Sequence, residues 1–207
     1  MPTATLRPIL GSILRPVWDI GIGGGSASLT AQVQAMFAVA GREGFMYDYM
    51  DKSKLFQLSN GTTAVVNNSD PIGYVTDLSG KGHHGTQATA GSRPLWNAAT
   101  GGTFDGTDDF HTAGTVNFSA SDKVTVIVAC TMSTSGNRGL VGHGATTAGD
   151  FNLLYSSGSA SWRGSVYGST GNAQVIIAIA DKPAVPHTKV FSVVFNLAGG
   201  TATDEID

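Results

Sequence analysis

Hydrophobic residues change their spacing along this chain. Val33, Met36, Phe37 and Ala40 stand at i, i+3, i+4 and i+7, with Ser28 or Thr30 before them as a cap and Gly41 after them as a stop. That pattern predicts one helix over about 29–40, its Met and Phe stripe packed against a sheet or another helix. From Gly44 onward the period drops to two. Phe45, Tyr47 and Tyr49 alternate onto one face. Residues 123–131 read KVTVIVACT and set Val124, Val126, Val128 and Cys130 against Thr125, Ile127 and Ala129, the pattern of a central strand buried on both faces. Residues 190–197 set Phe191, Val193, Phe195 and Leu197 against Val190, Ser192, Val194 and Asn196, and 175–179 is a third strong strand. Weaker strands fit 102–104, 110–112, 139–142, 151–155 and 161–166. Short strands between Gly, Asn, Ser and Thr predict an all-β sandwich or jelly roll. No repeat of roughly 20 to 50 residues is present, which disfavours a solenoid or propeller.

The first 26 residues fit neither period. Pro8 and Pro16 forbid a regular helix across 6–18, and Gly21, Gly23, Gly24 and Gly25 form a hinge before Ser26. Yet Leu6, Ile9, Leu10, Ile13, Leu14, Val17, Trp18 and Ile20 offer more apolar surface than a solvated linker carries. The segment reads as an extended arm that either covers its own domain or docks on a neighbouring subunit.

Composition sharpens the fold class. Of 207 residues 28 are Gly and only 13% are charged, where an ordinary domain has about 25% charged residues and about 7% Gly. Charged helical surface is scarce and turns are many. A net charge of −3 with no Lys/Arg run gives no footprint for nucleic acid or anionic lipid. No stretch approaches the roughly 18 consecutive apolar residues of a membrane span, and Pro and Arg interrupt the start where a signal peptide needs an apolar run. The one Cys, Cys130, excludes an intrachain disulfide.

Two motifs say more. Residues 74–88 read YVTDLSGKGHHGTQA and residues 101–110 read GGTFDGTDDF. In this order and spacing they resemble the laminin-G-like, concanavalin A-like jelly-roll domains, in which a D-x-S-G-x-G-N-H-G-T stretch precedes an F-D-G-x-D-D stretch. Together with GREGFMYDYMDKSKLFQLSNGTTAV upstream, the block resembles the version found in tailed-phage structural proteins. The resemblance covers about Met36 to the end, and His83 departs from the Asn more usual there. It implies a division into an arm (1–26), a short helix (27–43) and a jelly roll (44–207). It further implies a tail fibre or other tail-associated virion protein, present in host cytoplasm during assembly, bound to other virion proteins through Leu6, Ile9, Leu10, Ile13, Leu14 and Trp18 of the arm, and forming a homo-oligomer. Family members continue past residue 197 with returning strands. The chain is therefore expected to be part of a longer protein, or to have a vacant sheet edge filled by its arm or a neighbour.

The residues themselves give both motifs a structural account. Asp77 is placed to accept bonds from the N–H groups of the turn that follows, Gly80 and Gly82 suit positive φ, and Thr86 resumes a strand. Asp105-Gly106 is a tight-turn signal. The remaining reading is a Ca²⁺ or sugar role for Asp77, Asp105, Asp108 or Asp109, since loop carboxylates suit that ion. No other cofactor is implied.

Catalysis finds little. Glu205-Ile206-Asp207 has the E-x-D form of paired carboxylates, but it stands at the terminus with nothing after it to hold a strand. No G-x-S-x-G elbow occurs, no pattern designates a base among His83, His84, His111, His143 and His187, and the side chains of His83 and His84 diverge, one packed and one exposed. Zinc and phosphate-loop spacings are missing. The surviving ligand class is sugar on a cell surface. Aromatic faces and short polar groups cluster in Tyr155, Trp162, Arg163 and Tyr167 with Asn152 and Asn172, and His143 is expected near them. Core packing is the competing role for Tyr155 and Trp162. The expectation is a non-enzymatic virion protein with a lectin-like domain; a host-recognition adhesin is the alternative, with capsid decoration and glycoside hydrolysis behind it.

Overall fold

The computed structural model describes residues 28–118, 123–133, 138–144, 150–156, 161–167, 172–176, 187–197 and 201–206, with backbone alone at 155, 156, 161, 162, 172–176, 187 and 202–206. The arm, with Leu6, Ile9, Leu10, Ile13, Leu14 and Trp18, lies outside the described residues. What is described is mostly β with one α-helix, as the alternation predicts.

Helix α1 (Leu29–Phe37) begins where expected, the Ser28 hydroxyl accepting a bond from the Ala31 N–H at 3.2 Å. It ends three residues before Ala40. The Arg42 N–H bonds the Val39 carbonyl in a turn, and the Arg42 guanidinium takes the free Met36 carbonyl. Val33 is buried, and the Phe37 ring lies against Gly44, where a Cβ would come within 2.9 Å of it.

The first half of the β region is built from very short strands: β1 (Leu55–Phe56), β2 (Tyr74–Val75), β3 (Gly85–Thr86), β4 (Leu95–Asn97), β5 (Gly101–Thr103) and β6 (Thr112–Ala113). They make an antiparallel sheet in the order β1-β2-β3-β6 and a separate β4-β5 pair. Leu55, Val65, Ile72, Val75 and Trp96 form its core, with Tyr47 and Tyr49 against them. Phe45, Tyr47 and Tyr49 do share a face, their rings 4.8 and 6.3 Å apart in succession, but their segment joins no ladder.

The second half has long strands: β7 (Lys123–Met132), β8 (Arg138–His143), β9 (Phe151–Ser156), β10 (Ser161–Tyr167), β11 (Asn172–Ile176), β12 (His187–Asn196) and β13 (Thr201–Ile206). One antiparallel sheet runs β11-β10-β9-β8, the other β13-β12-β7. Between them Phe151, Leu153 and Val166 meet Phe191, Val193 and Phe195. Gly164 lets the layers close, since a Cβ there would sit 3.1 Å from Val193 and 3.3 Å from the Phe195 ring.

Two expectations need correction here. β7 is not central: it pairs with β12 alone among the described residues, and Thr125, Ile127, Ala129 and Thr131 are exposed. Its second apolar face reflects β-branched propensity rather than burial. The segment holding Glu205 and Ile206 is strand β13, six residues in register with β12.

Candidate functional site

The 74–88 motif folds into a clasp around one carboxylate. Asp77 is 6% exposed, and its four acceptor positions are all taken. Oδ1 accepts from the N–H groups of Met46 (3.0 Å) and Ser79 (2.9 Å), and Oδ2 accepts from the Ser79 hydroxyl (2.6 Å) and the His83 N–H (3.0 Å). Burial alone would raise its pKa, but these bonds outweigh burial and hold it below the usual carboxylate value. Gly80 and Gly82 adopt φ of 81° and 82°, which lets the loop turn back, and Thr86 lies in β3 as expected. The clasp also reaches the segment that has no ladder. The Leu78 N–H donates to the Met46 carbonyl and the Tyr47 hydroxyl to the His83 carbonyl.

The two histidines diverge. The His84 Nδ1 accepts from the Asp77 N–H at 3.1 Å while its ring stacks on Tyr74. His83 turns to Glu43 at 3.4 Å. Both are half-buried, so neither is the exposed one expected.

The 101–110 motif is a closed turn. Asp105 Oδ1 accepts from the Thr107 and Asp108 N–H groups, Asp109 Oδ2 accepts from the Asp105 N–H at 2.8 Å, and Gly106 has φ 72°. Asp108 accepts from the Ser92 hydroxyl at 2.7 Å. One ligand atom from each of Asp105, Asp108 and Asp109 lies within 4.8 Å of the others, so these are the residues that could hold a cation; Asp77 stands outside that group. The guanidinium of Arg138 lies over Gly106, where any Cβ would strike it, and brings positive charge to the turn. The bond from Thr107 lowers the Asp105 pKa. Burial, reinforced by the Asp105 and Asp108 charges, raises that of Asp109. Beside the turn, His111 is a half-buried neutral ring. Its Nε2–H donates to the Ile72 carbonyl (2.9 Å), leaving Nδ1 to accept from the Tyr49 hydroxyl (3.1 Å), and burial lowers its pKa to about 4.

The proposed sugar cluster is divided by strand register. Asn152 faces Ser165 across β9 and β10, and Arg163 and Tyr167 share the alternation of Ser165. His143 instead pairs with Phe151, stacks on it at 5.6 Å, and packs against Phe118, on the core side. His143 thus falls in the alternation of Phe151 and Tyr155, and Asn152 in the other. Tyr155 and Trp162 are directly paired, in the alternation of Leu153 and Val166; their side chains, and that of Asn172, lie outside the described residues. The sequence patterns did not single out Asp150 or Asp70. Asp150 is buried, 3.7 Å from His143 and pressed on Gly144; Gly149 immediately before it is the turn signal that could have found it. Asp70 Oδ2 accepts from the Val66 and Asn67 N–H groups and from Gln57; the preceding Asn-Asn-Ser and the following Pro are the turn signal that could have found it.

Compared with protein families, curated proteins and solved structures, the chain matches none.

Proposed function

We propose that this chain is a non-enzymatic structural component of a tailed-phage virion, a tail fibre or other tail-associated protein, anchored by its N-terminal arm and displaying a concanavalin A-like jelly-roll module. The observation that carries this reading is the Asp77 clasp. The motif behind the resemblance uses its carboxylate to hold four donors of its own chain, a role in architecture rather than turnover. The apolar packing between the two sheets of the second half supports this reading, because a sandwich module needs a core of that kind.

Gold-labelled antibody against the chain tests the reading on purified particles: label on tails is expected, and unlabelled tails overturn it. Protein lacking residues 1–26 should keep its β circular dichroism yet fail to join particles.

A carbohydrate-binding adhesin is the second reading. It draws on Asn152 Oδ1, a buried acceptor with no donor among the described residues, on the sheet face shared with Arg163 and Tyr167. A sugar hydroxyl is a donor of the right kind. A glycan array probed with the full chain and with Asn152→Ala separates the two readings.

A further inference from the structure

Strand β7 is a long edge without the usual protection. Among the described residues nothing pairs with the side turned away from β12. After Lys123 it carries no charge, Pro or bulge, and its outer residues are exposed, Ile127 by 44%. Natural edges are normally short, charged, bulged or covered, because open N–H and C=O groups recruit another strand. Two other long edges here, β8 and β13, follow that rule. β8 opens on Arg138 and shifts register between Gly139 and Val141, and β13 contains Asp204 and Glu205.

We infer that β7 is the contact of a two-fold homodimer, in which a second copy adds its β7 antiparallel to form one continuous six-stranded sheet. A two-fold axis perpendicular to that sheet requires each residue to face one of the same alternation. The register centred on Ile127 meets this condition. It sets Ile127 opposite the partner's Ile127, Thr125 opposite the partner's Ala129, Val126 opposite the partner's Val128, and Lys123 opposite the partner's Thr131. The one charge therefore never meets itself, and the central pair is apolar and β-branched, the favourable kind.

The arm is the competing occupant and a poorer match. Pro8 and Pro16 confine its first apolar stretch to residues 9–15, with Gly11, Ser12 and Arg15 inside it, and Asp19 and four Gly follow. The β7 contact stands independently of the virion reading.

Sedimentation velocity of the full-length chain across a dilution series tests it. A concentration-dependent dimer is expected. Ile127→Lys, which brings two ammonium groups face to face at an exposed position, should weaken it roughly tenfold or more with an unchanged melting curve, while Ile127→Val leaves it intact. Thr125→Lys combined with Ala129→Lys sets Lys against Lys twice and should dissociate the dimer in the same way. Hydrogen exchange at the β7 amides should slow as concentration rises. A wild-type monomer at the highest concentration overturns the inference, and so does a dimer that survives both Lys variants. A dimer lost on removing residues 1–26 but kept by Ile127→Lys assigns the contact to the arm and overturns it equally.

Discussion

Replacing Asp77 by Asn keeps the outline of the side chain and removes its charge and one acceptor. An amide NH₂ in the Oδ1 position would face two backbone donors, the Met46 and Ser79 N–H groups. In the Oδ2 position it faces the His83 N–H and the Ser79 hydroxyl, and only the hydroxyl can turn to accept. The second orientation is the cheaper, and it still leaves the His83 N–H unpaired. An unsatisfied buried donor costs about 1–3 kcal/mol, and each bond to a charged acceptor contributes about 1.5–3 kcal/mol. Because the bonds share one group they do not add, so the expected loss is about 3 kcal/mol for Asp77→Asn and about 4 kcal/mol for Asp77→Ala. Against a typical total of about 5–15 kcal/mol this is readily seen in urea unfolding followed by circular dichroism. Hydrogen exchange should quicken at Met46, Ser79 and His83 together. A loss below about 1 kcal/mol with those amides still protected would refute the clasp as a source of stability.

The same carboxylate shapes the acid response. Its pKa is lowered in the folded state, so its contribution is complete above the ordinary value of about 3.9 and disappears as pH falls through the folded value; Asp77→Asn should flatten that limb. His111 acts at higher pH. With a folded pKa of about 4, its stabilisation is complete above about 6.5 and falls away as pH drops toward 4, by roughly 3 kcal/mol, which His111→Asn should abolish in a pH series of urea midpoints. Gly144→Ala drives a Cβ into the Asp150 carboxylate at φ 66° and should cost about 2 kcal/mol, whereas Gly139→Ala, with open space around it, should change the midpoint by less than about 0.5 kcal/mol. Added Ca²⁺ should leave the melting temperature unchanged if the Asp105 turn is held by its own N–H groups; a clear rise would show a specific site.

Legibility followed the mechanism of folding at each place. Strands β7, β9, β10 and β12 were readable because side chains alternate over five or more residues. The two-residue strands β1 and β2 give no such signal, and their pairing is decided by Leu55 and Val75 sinking into a shared core. The turn chemistry of Asp77 and Asp105 was readable from local spacing, but the reach of Asp77 to Met46 across 31 residues was not. Whether a strand is central or at an edge depends on its neighbours, so Ile127 looked buried. Register also divides the aromatic and polar residues that composition groups together, setting His143 in the alternation of Tyr155 and Asn152 in that of Arg163.

The two halves of the β region also differ in what they permit to change. In the second half, backbone ladders of up to ten paired residues hold the chain, and a ladder accepts any side chain of suitable polarity. In the first half the ladders are two or three residues long, and single side chains stand in for them. Asp77, Asp70, Asp105 and His111 each bind backbone groups that no neighbouring strand reaches. No other residue type reproduces a short carboxylate bonded to three N–H groups. Sequence drift should therefore erode the second half quickly with its sheets intact, while the first half keeps its spelling. A likeness between distant chains of this architecture would survive in the stretch from Phe45 to Phe110, where recognition by motif and mechanical necessity coincide.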